Sequence, residues 1–535
     1  MLLSGLKIFA CAPATPRRPG VRMAATVLCA AVLAGPVAAK AADPTAPTVR
    51  QERIQAAIDG LDGLAQRTLA EFKLPGLAIA VVHEGKTVFA RGYGVRELGK
   101  TAKVDADTVF QIASLSKSLA ASVVAQQVGE GKVAWDTPVS RHLPWFTLSD
   151  PWVGAHVTIG DLFAHRSGLP DHAGDDLELL GFSRREILER LDQLPLNAYR
   201  DSYAYTNFGL TTAAEAVAEA AGTDWASLSE KVLYAPLGMA RTSSRFDDYL
   251  ARDNRAVGHA FADGAFRDLQ RRKPDAQSPA GGVSSTARDM ARWMAMVLAN
   301  GRHGEKVIIK EAGLLPALSP QVVSSRSETA DRLPSFYGFG VGVGISGDGS
   351  VMLSHSGMFV LGTGTNYMMS PALDLGIVVL SNGAGVGAVE AVSAEFMDLA
   401  INGKVTRDWA SGYRGLFEAQ RLNAPAGSTV GKAAPAKPEP SDELGDFVGT
   451  YVSAYFGAAR VDLAEDRLVL TLGPDEQRFE LTHWSGNSFV FPVFNEEQPY
   501  GSRSTVTFDL SAQDPSMRVE FLDENGLGLF TRTVR

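Results

Sequence analysis

The sequence predicts an α+β protein: an antiparallel sheet flanked by helices and carrying a helical subdomain, followed by a small antiparallel β-barrel domain. Runs of period-two hydrophobicity stand at both ends of residues 50 to 400 with helical periodicity between them, as when one sheet is assembled from distant parts of a chain around a helical insertion. An Ala-, Pro-, Gly- and Lys-rich stretch then gives way to short alternating runs that continue to residue 535. The hydrophobic share of 45% and charged share of 21% are those of a globular protein with ample core.

Taken in order, Arg17, Arg18 and Arg22 precede an apolar small-residue run from Met23 to Ala39 that ends in Ala39-Lys40-Ala41. This is the shape of a secretory signal peptide over residues 1–41, and it implies an exported protein, periplasmic or secreted, with no stable membrane insertion after cleavage. Both cysteines, Cys11 and Cys29, lie in that leader, so the mature chain would have neither a disulfide nor a thiolate metal site. Removing the leader's five positive charges takes the formal charge from −9 to −14, which argues against a nucleic-acid partner and for a small-molecule or short-peptide substrate.

Residues 50–420 form the first domain. Arg50 to Phe72 has helical periodicity. Gly76 to His83 and Lys86 to Gly92 read as a hairpin turning at Glu84-Gly85. Val109 to Ala113 is a short strand leading into a helix from Ser114 to about Val128. Helices are expected over Thr158–His165, Ser183–Leu194, Thr206–Ala221, Trp225–Leu233 and Thr286–Leu298. Strands follow at Gly338–Ile345, Val351–His355, Thr365–Met369 and Gly376–Ser381, then a closing helix from Ala388. Residues 421–440 read as a linker, and residues 441–535 as a β-domain with seven recognisable strands.

The chemistry begins at Ser114-x-x-Lys117. At i and i+3 of a helix start the two side chains share a face, and the dipole and free N–H groups of the first turn favour a developing oxyanion. The following helix is free of charge to Val128, so Lys117 should be partly desolvated and biased toward the neutral, proton-accepting form. Tyr205-Thr-Asn207 occurs once; its phenol beside a lysine could relay a proton, or it could be a loop aromatic with Asn207 as a helix cap. His355-Ser356-Gly357, at a strand end before Met358, could lay a strand edge beside a substrate; His83-Glu-Gly85 and His172-Ala-Gly174 share the pattern, and position in the β-rich half selects His355.

In this order the three motifs, with Leu74-Pro-Gly-Leu-Ala-Ile-Ala-Val-Val82, Leu162-Phe-Ala-His-Arg-Ser-Gly-Leu-Pro170 and Pro279-Ala-Gly-Gly-Val-Ser-Ser-Thr-Ala-Arg-Asp-Met290, resemble the serine β-lactamase and penicillin-binding protein superfamily. The likeness is to its class C β-lactamase-like branch, which includes D-alanyl-D-alanine carboxypeptidases, D-aminopeptidases and esterases. The tail resembles the lipocalin-like domain often appended to such hydrolases. The resemblance implies Ser114 as an acylated nucleophile, Lys117 as its proton acceptor, Tyr205 as a partner in proton transfer and Asn207 as the group that orients lysine and substrate. It implies an oxyanion hole from the N–H groups of Ser114 and Met358, with His355, Ser356 and Gly357 beside the substrate. It implies neither a metal nor an organic cofactor, and an oligomer is possible. Many relatives have lysine where His355 stands. Histidine, with an ordinary pKa of about 6.5, is a poorer permanent cation for a substrate carboxylate. The expectation is therefore a hydrolase of D-amino-acid peptides or carboxylic esters. The alternatives are a β-lactamase proper, a non-catalytic protein that binds penicillin or cell-wall fragments, or a chain whose tail is the functional, ligand-binding part.

Overall fold

Two consecutive left-handed residues, Glu84 (φ 50°) and Gly85 (φ 67°), make the turn that pairs β1 (Gly76–His83) with β2 (Lys86–Gly94). The computed structural model that shows this describes residues 46–533 apart from 328, 330–332, 347–348 and 424–426. The expected leader, with Cys11 and Cys29, lies outside the described residues.

Six later strands extend this hairpin: β3 (Val322–Ser325), β4 (Ser335–Tyr337), β5 (Gly342–Ile345), β6 (Val351–Phe359), β7 (Thr363–Ser370) and β8 (Leu375–Ser381). The order across the sheet is β2-β1-β8-β7-β6-β5-β4-β3, and every pairing is antiparallel. The first strands of the chain therefore lie against the last, as the split pattern of alternation requires.

The sheet divides two cores. Leu77, Ile79 and Val81 of β1 face one side, with Leu375, Ile377 and Val379 of β8; α1 (Ala46–Asp59), α2 (Leu61–Phe72) and a later helix, Ala388–Asn402, cover them. Ala78, Ala80 and Val82 face the other side, where α3 (Leu115–Gly129), α4 (Asn207–Ala221) and α5 (Ala287–Leu298) pack. The alternation has a period of two, so one strand serves both cores. We call the Ala388–Asn402 helix α6.

Several elements differ from expectation for local reasons. The helix expected over Arg50–Phe72 is two segments meeting at Gly60. Only Phe110–Gln111 of the run before Ser114 is strand, pairing with Ser284–Ser285, because Ala113 turns left-handed at φ 47°. Strand β6 runs on to Phe359 rather than ending at His355. A further helix, α7 (Trp409–Asn423), runs into the start of the predicted linker; the indole of Trp409 bonds Asp398 of α6 at 2.9 Å, and Arg414 pairs with Glu71 of α2 at 2.7 Å.

The C-terminal region forms a nine-stranded antiparallel sheet from β9 (Gly449–Ser453), β10 (Gly457–Ala464), β11 (Arg467–Leu472), β12 (Gln477–Glu480), β13 (Thr482–Ser485), β14 (Ser488–Pro492), β15 (Arg503–Asp509), β16 (Ser516–Val519) and β17 (Leu529–Arg532). Its order, β12-β11-β10-β9-β17-β16-β15-β14-β13, makes the two edge strands direct sequence neighbours, so the sheet curls nearly closed like a barrel. Strands β13 and β17 join the seven expected. Residues of the predicted linker lie on this sheet, where Glu520 accepts from the Ser428 N–H at 2.7 Å and Thr429 is buried. The apolar interior is continuous with that of the first domain: Leu180 and Phe182 join Tyr455, Phe456 and Phe447 in one buried cluster. Residues 49–535 are one compact unit. Among the described residues no helix is long and apolar enough to cross a membrane.

Candidate active site

The left-handed backbone of the buried Ala113, a conformation costly for a residue with a Cβ, turns the chain sharply from the short strand into α3. Ser114 stands at that elbow as the N-cap of α3, and its side chain lines a cleft of about 610 Å³. One turn on, Lys117 is fully buried. Its Nζ lies 3.1 Å from Ser114 Oγ and donates to Asn207 Oδ1 at 2.7 Å and to the Ala280 carbonyl at 3.0 Å. Burial pushes the Lys117 pKa down to about 7, against the pull of the nearby Asp175 carboxylate. A neutral amine has two N–H donors and one lone pair. With Asn207 and Ala280 taking the donors, the lone pair is left for the Ser114 hydroxyl.

Tyr205 sits beside this pair, with the lysine nitrogen 4.4 Å from its ring centroid and a hydrogen bond joining its phenol to the Ser114 side chain. Burial dominates and holds the Tyr205 pKa well above its ordinary value, so the group is a neutral O–H at working pH. Asn207 begins α4 and spans two partners, accepting from Lys117 and donating Nδ2–H to Asp175 Oδ2 at 2.7 Å. Behind Tyr205, the buried His165 accepts from the Thr206 N–H at 3.1 Å through Nδ1 and packs its ring against Tyr203, Tyr205 and Tyr337.

The opposite wall is β6. Strand β5 stops pairing with it at Gly342↔Ser354, while β7 stays paired to Phe359, so from His355 onward one edge of β6 is released toward the cleft. Gly357 is where this edge meets the nucleophile's backbone. A Cβ there would lie 2.5 Å from Thr365 Oγ1, 2.7 Å from the Ile112 carbonyl and 2.9 Å from Ser114 N, so only glycine permits the approach. Ser356 and Met358 line the cleft.

His355, expected beside the substrate, is not among the residues that line the cleft. It is buried, and both ring nitrogens are engaged, Nδ1 with the Ser356 carbonyl at 2.6 Å and Nε2 with the Tyr337 hydroxyl at 2.8 Å. Burial and the neighbouring Lys117 push its pKa down to about 3, so the ring is neutral; Nδ1–H then donates to Ser356 and Nε2 accepts from Tyr337. It braces β6 from behind.

Several cleft residues carry no local sequence signal. Glu390, in the first turn of α6, is 5% exposed, interacts with the Ser356 side chain and leaves Oε2 without a partner at the cleft wall. Burial raises its pKa to about 7. Met358, Phe261, Phe359 and, from α7, Tyr413, Leu416 and Phe417 give the cleft an apolar side. Arg272 is occupied by Glu178. Glu496 and Glu497 reach the same cleft from the C-terminal domain.

This fold and site define a β-lactamase-like α/β domain with a serine–lysine pair where the short strand enters its buried helix. The chain belongs to the Beta-lactamase family, whose model matches residues 61–401. A domain of unknown function, DUF3471, matches residues 433–526. The chain is 27% identical over 454 residues to the unguisins hydrolase ungD of Aspergillus violaceofuscus, covering 77% of this chain and 78% of that one. It is 29% identical over 230 residues to the D-alanyl-D-alanine-carboxypeptidase/endopeptidase AmpH of Escherichia coli K12 (42% and 58% covered) and 32% identical over 216 residues to the esterase EstB of Burkholderia gladioli (37% and 53%). The octameric penicillin-binding protein homologue from Pyrococcus abyssi shares the fold, with a TM-score of 0.58 at 17% identity over 89% of this chain and all of that one.

Proposed function

We propose that this hydrolase-family protein is an exported serine hydrolase that cleaves a small amide or ester through an acyl-enzyme on Ser114. The observation that carries the reading is the environment of Lys117: buried, with two N–H donors already taken, and 3.1 Å from Ser114 Oγ. The neutral amine takes the hydroxyl proton as Oγ attacks the carbonyl carbon. The oxyanion is held by the N–H groups of Ser114 and Met358, close to the first turn of α3. The leaving group departs with a proton delivered from Lys117 through the Tyr205 hydroxyl. Water then attacks the ester, giving its proton back along the same route, and Ser114 is released.

Two features favour substrates without a carboxylate beside the scissile bond, and so a peptidase or esterase over a β-lactamase proper. His355 is neutral and does not line the cleft, and the ionisable group beside Ser356 is the Glu390 carboxyl. The apolar side of the cleft suits a hydrophobic acyl or D-aminoacyl group, and the relative named as an esterase fits this range. Incubating the purified protein with a fluorophosphonate should add one adduct at Ser114 by intact mass and peptide mapping. Parallel assays with a nitrophenyl ester, a D-amino-acid anilide and a cephalosporin should give turnover of the first two. Absence of the adduct, with Ser114→Ala behaving like the wild type, would remove the reading.

A further inference from the structure

The C-terminal domain sends the segment between β14 and β15 into the cleft, where Glu496, Glu497 and Pro499 share the wall with Ser114, Tyr205 and Asn207. The two carboxylates are consecutive, yet each serves a different side. Glu496 Oε2 accepts from the Val360 N–H at 2.8 Å and Oε1 from the Leu361 N–H at 3.3 Å, at the turn leaving β6, with Arg272 Nε 4.0 Å away. Glu497 Oε1 lies 3.6 Å from His172 Nδ1.

His172 is the hub of the second contact. Its backbone is left-handed at φ 54°, its N–H donates to the Tyr205 carbonyl at 2.8 Å, and its Nδ1 lies 2.8 Å from Asp175 Oδ2. That same oxygen accepts from Asn207 Nδ2, whose Oδ1 holds Lys117. An unbroken series of polar contacts thus runs from Ser114 Oγ through Lys117, Asn207, Asp175 and His172 to a carboxylate of the other domain. Asp171 Oδ2 lies 3.9 Å from His172 Nε2, so one imidazole faces three carboxyl groups, while Asp176 and Glu524 stand nearby around Glu497. Burial opposes charge on the ring, but the hydrogen bond to Asp175 and the charges of Glu497, Asp175 and Asp171 outweigh it and raise the His172 pKa to about 10. As an imidazolium it donates to Asp175 and pairs with Glu497.

We infer that Glu496 and Glu497 are positioning residues of the active site: Glu497 fixes His172, and through Asp175 the Asn207–Lys117–Ser114 series, while Glu496 fixes the turn that ends the Ser356–Met358 strand. The C-terminal domain is on this view part of the catalytic apparatus and not a cover. The inference rests on the proposal that Ser114 and Lys117 perform the chemistry. The two are separable, because Ser114→Ala tests the first and leaves the clamp intact.

The test uses the full chain, since the two domains share one core, with a short-chain nitrophenyl ester as probe. Glu497→Ala and His172→Ala should each lower kcat about tenfold to a hundredfold, the scale for a misplaced reacting group, with KM changed less than about twofold. The double variant should be no worse than the more damaged single, because both act through one contact. Glu497→Gln, of equal volume and no charge, should fall between, and Glu496→Gln should slow fluorophosphonate labelling of Ser114. The unfolding temperatures of the Gln variants should stay near wild type, which separates positioning from misfolding. Near-wild-type kcat in Glu497→Ala beside an inactive Ser114→Ala would overturn the inference, as would multiplying losses in the double variant. Loss of wild-type activity on chelation, restored by a divalent metal, would overturn it too, because His172, Asp175 and Glu497 bring their donor atoms within 4.8 Å of one another.

Discussion

Lys117 and His355 are both buried bases behind the walls of one cleft, and burial drives both toward the neutral form. They differ in what their partners leave over. Lys117 spends two donors on Asn207 and Ala280 and keeps a lone pair for Ser114; His355 spends its donor on the Ser356 carbonyl and its lone pair on the Tyr337 hydroxyl. Desolvation alone therefore does not make a base available. A count of satisfied valences separates the group that can react from the one that braces a strand.

The largest effect is expected on the lysine side. Lys117→Met should lower Ser114 acylation by about 10³-fold, the scale of a lost general base, measured as the second-order rate of fluorophosphonate labelling. A residual rate within tenfold of wild type would put the proton elsewhere.

Next comes the seam between the walls. Gly357→Ala must push β6 away from Ser114 N or the Ile112 carbonyl, and we expect kcat to fall about tenfold to a hundredfold with the fold retained by circular dichroism.

The pH profile sharpens the contrast without a mutation. The limb of kcat/KM that reports Lys117 should rise as pH passes through about 7, and no step should come from His355 between pH 5 and 9. The lysine pKa is lower folded than unfolded. Between about pH 7 and its ordinary 10.5 the unfolded chain therefore binds a proton that the folded chain does not, and its contribution to stability grows as pH rises through that window. Denaturant midpoints of wild type and Lys117→Met should diverge there.

The smallest expected effect is at His355. His355→Phe should leave kcat within about threefold and cost about 1–3 kcal/mol of stability, because the Tyr337 hydroxyl loses its partner. A large loss of kcat with unchanged stability would return His355 to the substrate side.

Ser114, Lys117, Tyr205 and Asn207 were legible because each pair is local in sequence, and a helix start brings i and i+3 together without tertiary information. The antiparallel core was legible in β1 and β8, where the alternation is unbroken. Strands β3 and β4 were not, at four and three residues each. His355 was placed in the right strand, but its burial and its partners were not foreseen. Its orientation depends on Tyr337, eighteen positions away in another strand, which the sequence pattern does not place beside it. Asp175, Glu390, Glu496 and Glu497 were missed for the same reason: nothing in the flanking sequence marks a carboxylate that will be buried against another element, 32 positions away for Asp175 with Asn207 and 136 for Glu496 with Val360. The left-handed Ala113 was hidden because alanine carries no preference for that conformation.

The apolar cluster that runs without interruption from α3 into β10 and β14 has a consequence for cooperativity. Two domains joined only by a tether melt as two events, each with its own heat. Here Leu180 and Phe182 are buried together with Tyr455 and Phe456, so exposing one side strips the other of its cover. We expect a single calorimetric transition for the whole chain, with the nucleophile's surroundings and the C-terminal sheet lost at one temperature.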